Sequence, residues 1–333
     1  MTARARRRRV WALAPVLLAG CSLLSGQRAE LRRAVRNDLL GHAPIASPER
    51  IASALRTGAR HAGDVATLND ARFSPDAGTL GLWDPALFLE RWGMGVYFLQ
   101  PYEPSKIPVL FVHGASGFPQ QFAYLASLLD GTRFQPWVFH YPSGLRLQVV
   151  ADALADRLEE LRSARRIPAV VVVAHSAGGL VARMAVRDRG GGPPGPVKLL
   201  VTLSTPWQGH DGASRAVGRS PVVVPAWIDL APGSAFLQAL GASRLPPGLA
   251  YQLFFGYRGG ETLTMRENSD GSVTLRSVLD RRAQAEAVRV QGFHEDHASI
   301  LRSAEVSRAL GQLLDETAAR VRAPEGPATA AKR

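Results

Sequence analysis

Apolar residues along this chain gather into short continuous runs. The clearest lie at 95–99, 108–113, 136–141, from 170 onward and at 197–203, and they are dominated by valine, leucine and phenylalanine. Unbroken apolar runs of this length predict strands buried on both faces. Shorter runs at 251–255 and 288–290 predict two later strands. Between them the spacing changes. At 149–161 the apolar positions are Val150, Leu154, Leu158 and Leu161, one stripe of an amphipathic helix. Helices are also predicted over 122–129, from 176 to about 189, and over 298–314. Strands alternating with helices predict an α/β fold, with a mainly parallel sheet covered by helices on both faces.

The ends of the chain break this pattern. Residues 22–60 are polar and rich in alanine and arginine, with one helix-like stretch at 28–40, and they read as a tether. Residues 61–90 carry scattered turn formers, among them Ser74-Pro75-Asp76-Ala77-Gly78. The last residues are low in complexity. The organisation so predicted is a leader at 1–20, an extension at 21–90, a folded domain at 91–316 and a tail at 317–333. Within the domain, residues 212–248 are rich in proline, glycine and apolar residues and read as a cap or lid insertion.

The leader is specific. Arg4, Arg6, Arg7, Arg8 and Arg9 precede the apolar stretch VWALAPVLLAG, which is too short to span a bilayer. It ends on Leu18-Ala19-Gly20-Cys21, which resembles the bacterial lipobox, and Cys21 is the one cysteine in 333 residues. That resemblance implies lipidation at Cys21 and a membrane-anchored protein of the cell envelope. Ser22 in place of aspartate leans towards the outer rather than the inner membrane. A single cysteine rules out an internal disulfide, and acylation there would leave no thiol for catalysis.

Charge changes little. The net +12 includes the five leader arginines, so the rest of the chain carries +7. Past the leader there is no basic helix with interleaved aromatics, so no nucleic-acid partner is expected.

Chemistry enters at VVVVAHSAGGLVARMAV, residues 170–186, where a buried strand runs straight into a helix through Ala174-His175-Ser176-Ala177-Gly178. A serine at such a turn sits at the carboxyl edge of the sheet, where α/β proteins bind ligands. Small residues two before and two after it let the backbone turn sharply. The pentapeptide resembles the nucleophile elbow Gly-x-Ser-x-Gly of the α/β-hydrolase family, with Ala174 in place of the first glycine. Three further stretches carry the resemblance in the family's order. His113-Gly114 closes an apolar strand, as at the family's oxyanion loop. Asn268-Ser269-Asp270-Gly271-Ser272-Val273 resembles its acid turn, and Asp296-His297 entering a final helix resembles its histidine loop.

The resemblance implies an α/β-hydrolase fold and a serine hydrolase of lipase or esterase type acting on acyl-ester or lipid substrates. Ser176 would be the nucleophile, His297 the base, with His294 the alternative, and Asp270 the acid. Ala115 and Ala177 would supply oxyanion N–H groups, with Gly114 and Gly178 admitting the close approaches and His113 bracing the loop. No cofactor is implied. A metal site at His294, Glu295, Asp296 and His297 lacks both a second ligand cluster and the H-E-x-x-H spacing. Leu203-Ser204-Thr205-Pro206 and the residues to His210 resemble a pocket-rim segment of the same lipases. Acyl transfer, amide hydrolysis and a silent binding protein of the same fold share these motifs.

Overall fold

The computed structural model describes residues 47–188, 195–220, 222–258 and 268–322. Cys21, the leader and the stretch at 28–40 lie outside the described residues.

The predicted strands form, each within about three residues of its apolar run, together with one at 60–65 that the apolar pattern does not mark. They are β1 (Arg60–Val65), β2 (Met94–Phe98), β3 (Ile107–Val112), β4 (Phe134–His140), β5 (Val170–His175), β6 (Val197–Leu203), β7 (Ala250–Gly256) and β8 (Arg289–Phe293). They build one sheet in the order β1-β2-β4-β3-β5-β6-β7-β8. Neighbours are parallel except β2 and β4, which run antiparallel. This is the α/β-hydrolase fold.

The valine run in β5 explains why the sheet is covered on both sides. Side chains alternate across a strand. Val170, Val172 and Ala174 join the apolar core on one face, while Val171 and Val173 join the core on the other. Leu110 and Val112 of β3 divide from Val109 and Phe111 in the same way.

The N-terminal residues depart from the expected extension at 21–90. Residues 48–92 fold onto the domain as α1 (Pro48–Thr57), β1, α2 (Pro75–Trp83) and α3 (Pro85–Trp92). The turn formers there are helix starts. Ser47, Ser74 and Asp84 each cap a helix whose first residue is proline, accepting from Arg50 N, Ala77 N and Leu87 N. β1 escapes detection because it is an edge strand of mixed polarity, RHAGDV, with no apolar run.

Further on come α4 (Ala123–Ser127), α5 (Leu147–Arg165) and α6 (Ala177–Ala185). The stripe Val150, Leu154, Leu158 and Leu161 is buried on α5. The insertion forms α7 (Asp211–Arg219), α8 (Pro225–Leu230) and α9 (Ala235–Ala242). It buries Val224, Trp227, Phe236 and Leu237. After β7 follow α10 (Leu275–Val278) and α11 (Arg281–Glu286), and after β8 comes α12 (Ala304–Arg322). Two expectations shift here. A short 3-10 turn, Ser299–Arg302, precedes α12 where one continuous helix was expected. The helix also continues through 317–322, assigned by sequence to the tail, because Thr317 and Ala318 still face the core.

Candidate active site

At the end of β5 the backbone leaves the sheet through Ser176, whose φ of 54° and ψ of −132° are rare for a residue with a side chain. Such a conformation costs on the order of 1–3 kcal/mol and persists because its surroundings enforce it. The Ser176 N–H donates to Leu203 O at 2.8 Å, and Ser176 O accepts from Gly179 N at 2.9 Å. α6 then begins at Ala177.

The small residues around the turn are there for space. A methyl on Gly178 would stand 2.2 Å from His113 O and 2.6 Å from Val112 O. One on Gly114 would stand 2.7 Å from Ser176 Cβ. Ala174 is fully buried between β3 and β6, paired with Val112 and Thr202.

Ser176, Ala115 and Ala177 line one cavity of about 70 Å³. Ala177 opens α6, so its N–H has no acceptor within the helix and is directed out of the helix start. Ala115 follows Gly114 on the loop after β3. His113 takes no part in the cavity lining. It is buried and stacked on Tyr141 with ring centroids 4.1 Å apart. Its Nδ1–H donates to Gly114 O at 3.0 Å, and the Tyr141 hydroxyl donates to His113 O. Burial lowers the His113 pKa to about 4, so the ring is a neutral brace for the loop.

Asp270 and His297 meet on the other side. His297 Nδ1–H donates to Asp270 Oδ2 at 2.7 Å. Asp270 Oδ1 accepts from Ser272 N at 3.0 Å and Val273 N at 2.7 Å. Burial pushes the Asp270 carboxyl up, but the adjacent His297 ring and these donors outweigh it and hold the group below its ordinary value. With Nδ1 carrying the proton, Nε2 of His297 is left as an acceptor. His294 is exposed and packs instead against the Tyr257 ring. Asp296 is occupied as a turn cap, accepting from Ala298 N and Ser299 N.

Two histidines that the sequence reading did not assign to the site hold these pieces together. His175, the residue before the serine, donates from Nε2 to His297 O at 2.8 Å, with the two rings 4.6 Å apart. Burial lowers its pKa to about 3, which keeps it neutral. It ties the serine's strand to the histidine's loop. His210, at the start of α7, accepts from Gly212 N on Nδ1 at 3.0 Å and donates from Nε2 to Ser272 O at 2.9 Å. It therefore joins the cap to the turn that carries Asp270. Its place in the STP-to-His segment beside Ser176 was the available signal.

The remaining wall comes from two distant parts of the chain. Leu82 and Trp83 belong to α2, and Trp227 and Leu230 to α8. The indoles of Trp83 and Trp227 meet edge to face with centroids 5.7 Å apart. Sequence pointed to Trp227 through the insertion. It gave no sign of Trp83, which touches its partner only in the folded chain.

Residues 109–328 match the family model described as Alpha/beta hydrolase family. Among solved structures, the chain is similar to the lipase BlEst2 of Bacillus licheniformis in its mature form. The two share 19% identity at a TM-score of 0.53, over 66% of this chain and 97% of that one. The propeptide form of the same lipase gives 20% identity and a TM-score of 0.52, over 66% of this chain and 53% of that one. No curated protein matches the chain.

Proposed function

The chain belongs to the alpha/beta hydrolase family, and on that premise we propose that it is a serine hydrolase of carboxylic esters, with Ser176, His297 and Asp270 as its triad. The observation that carries the reading is the strained Ser176 at the strand-to-helix turn, opening on an apolar cavity that it shares with Ala115 and Ala177. A turn that demands a costly conformation from a non-glycine residue has a use for that side chain.

In this mechanism Nε2 of His297 accepts the Ser176 Oγ proton as the oxygen attacks the ester carbonyl. The carbonyl oxygen becomes an oxyanion facing the N–H groups of Ala115 and Ala177, each worth roughly 3 kcal/mol in such a site. The oxyanion re-forms the carbonyl as the bond from its carbon to the alkoxy oxygen breaks, and His297 gives its proton to the departing alcohol. Ser176 is left acylated. Water, deprotonated by the same Nε2, attacks the acyl carbon and releases the acid and free Ser176. Asp270 holds the tautomer and stabilises the imidazolium formed in each half. Neutral His175 and His210 add no charge that would compete with it.

Labelling by a small-alkyl fluorophosphonate, compared with Ser176→Ala, tests the nucleophile. Labelling and ester turnover that both vanish in a folded Ser176→Ala support the reading. A folded protein that takes no label refutes it.

The site belongs, on the same reading, to an enzyme of the bacterial envelope anchored by a lipid on Cys21. The lipobox-like leader supports this. A fatty-acid label that enters the protein in cells and is lost in Cys21→Ala is the expected result.

A further inference from the structure

The two tryptophans over the cavity bear on which esters the site accepts. Trp83 and Trp227 line its apolar side edge to face, with ring centroids 5.7 Å apart, one from the N-terminal helices and one from the cap. Leu82, Leu230 and Ala213 fill in around them. The space left beside Ser176 is about 70 Å³. An apolar cavity of about 150 Å³ takes up a benzene ring, so this one admits only a few non-hydrogen atoms beside the serine.

The wall is also held in place from both sides. Gly144 N donates to Gly81 O at 2.8 Å, two residues before Trp83, and Gly144 O accepts from Ala226 N at 3.1 Å, next to Trp227. One residue thus fastens both tryptophan-bearing helices through its N–H and its C=O. On α8, the buried Asp229 accepts from Arg146 Nε and Nη2 at 2.9 and 2.6 Å and from Leu147 N at 2.7 Å. Asp229 O also accepts from Ser234 Oγ at 2.6 Å. A cap fastened at these points presents a fixed wall to the acyl chain.

We infer that the Trp83–Trp227 pair ends the acyl pocket and limits the enzyme to esters of short-chain acids. This rests on the ester-hydrolase reading of Ser176. The pair acts by exclusion. A longer chain must part the indoles or leave its tail in water, and either loses binding energy that the transition state would otherwise use.

The test is the chain-length profile of the full-length protein on p-nitrophenyl esters from acetate to decanoate, kept below micelle-forming concentrations. Wild type should show its highest kcat/KM at or below hexanoate, with a drop of at least tenfold by decanoate. Trp227→Ala and, separately, Trp83→Leu should move the optimum to longer chains and raise the octanoate-to-butyrate ratio at least tenfold. The wild-type profile decides even if one variant fails to fold. A wild type that cleaves decanoate as well as butyrate overturns the inference, as do folded variants with unchanged profiles, and in both cases fluorophosphonate labelling of Ser176 would continue. Absence of that labelling would instead remove the ester-hydrolase reading, and the pocket's length limit with it.

Discussion

Asp270 and His297 are joined twice, once through the ring at 2.7 Å to Oδ2 and once through the His297 backbone N–H at 2.8 Å to Asp270 O. The backbone bond positions the loop, and the side-chain bond chooses the tautomer. These two functions come apart on substitution.

Asp270→Asn keeps the backbone bond and much of the turn while presenting an amide to the imidazole. The protein is expected to fold and to lose about 10³–10⁴-fold in kcat, as tautomer control and imidazolium stabilisation disappear. Steady-state kinetics beside a circular dichroism melt would check this. A loss below tenfold would remove Asp270 from the triad.

Acid should weaken the fold through histidines that are buried and neutral. His113 titrates near 4 in the folded protein against an ordinary 6.5. The unfolded chain therefore binds the extra proton first as pH falls. Stability from this group is complete above about pH 6.5 and declines as pH drops towards 4, by on the order of 3 kcal/mol. His175 adds to the loss and extends it lower, to about 3. Urea midpoints taken from pH 7.5 to 4 should fall steadily. His113→Asn, which keeps a donor near Gly114 O, should flatten that slope.

Gly178 has no room for a side chain. A methyl would meet two backbone oxygens of β3's end at 2.2 and 2.6 Å, and backbone cannot swing aside as a side chain does. Gly178→Ala is expected to cost about 3 kcal/mol. Equilibrium denaturation would detect it, and a loss under 0.5 kcal/mol would contradict the packing described.

The cap's fastening to α5 can be cut at one residue pair. Arg146→Met removes the guanidinium and leaves the Asp229 carboxylate, 1% exposed, with the Leu147 N–H alone. A loss of about 3 kcal/mol is expected, the usual cost of stranding a buried charge. Thermal melts would measure it. Double replacement, Arg146→Met with Asp229→Leu, should recover much of the difference.

The central strands were legible because residues such as Val170 to Val173 must satisfy cores on both sheet faces and so cannot be polar. The proposed triad of Ser176, Asp270 and His297 was legible as motifs in order along the chain. What escaped was of two kinds. β1 lies at the sheet edge, where Arg60 and Asp64 can face water, so burial leaves no imprint on its sequence. The helices at 75–92 were hidden by their own starts: Ser74-Pro75 and Asp84-Pro85 look like turns until the cap geometry is seen. Pairings such as Trp83 with Trp227, or His210 with Ser272, depend on the folded path between distant segments and have no local trace.

The backbone of Gly144 has a consequence for how this pocket can change over generations. A methyl there would stand 2.2 Å from Leu82 O, so the position is closed to nearly every substitution. Through it the N-terminal helices and the cap are hydrogen-bonded to one residue, although more than a hundred residues separate their tryptophans. Replacements at 83 and 227 will therefore be epistatic: whichever comes first relaxes the shared wall, and the second has less left to gain. A lineage drifting towards bulkier esters would be channelled through a few ordered pairs of substitutions, not through independent steps.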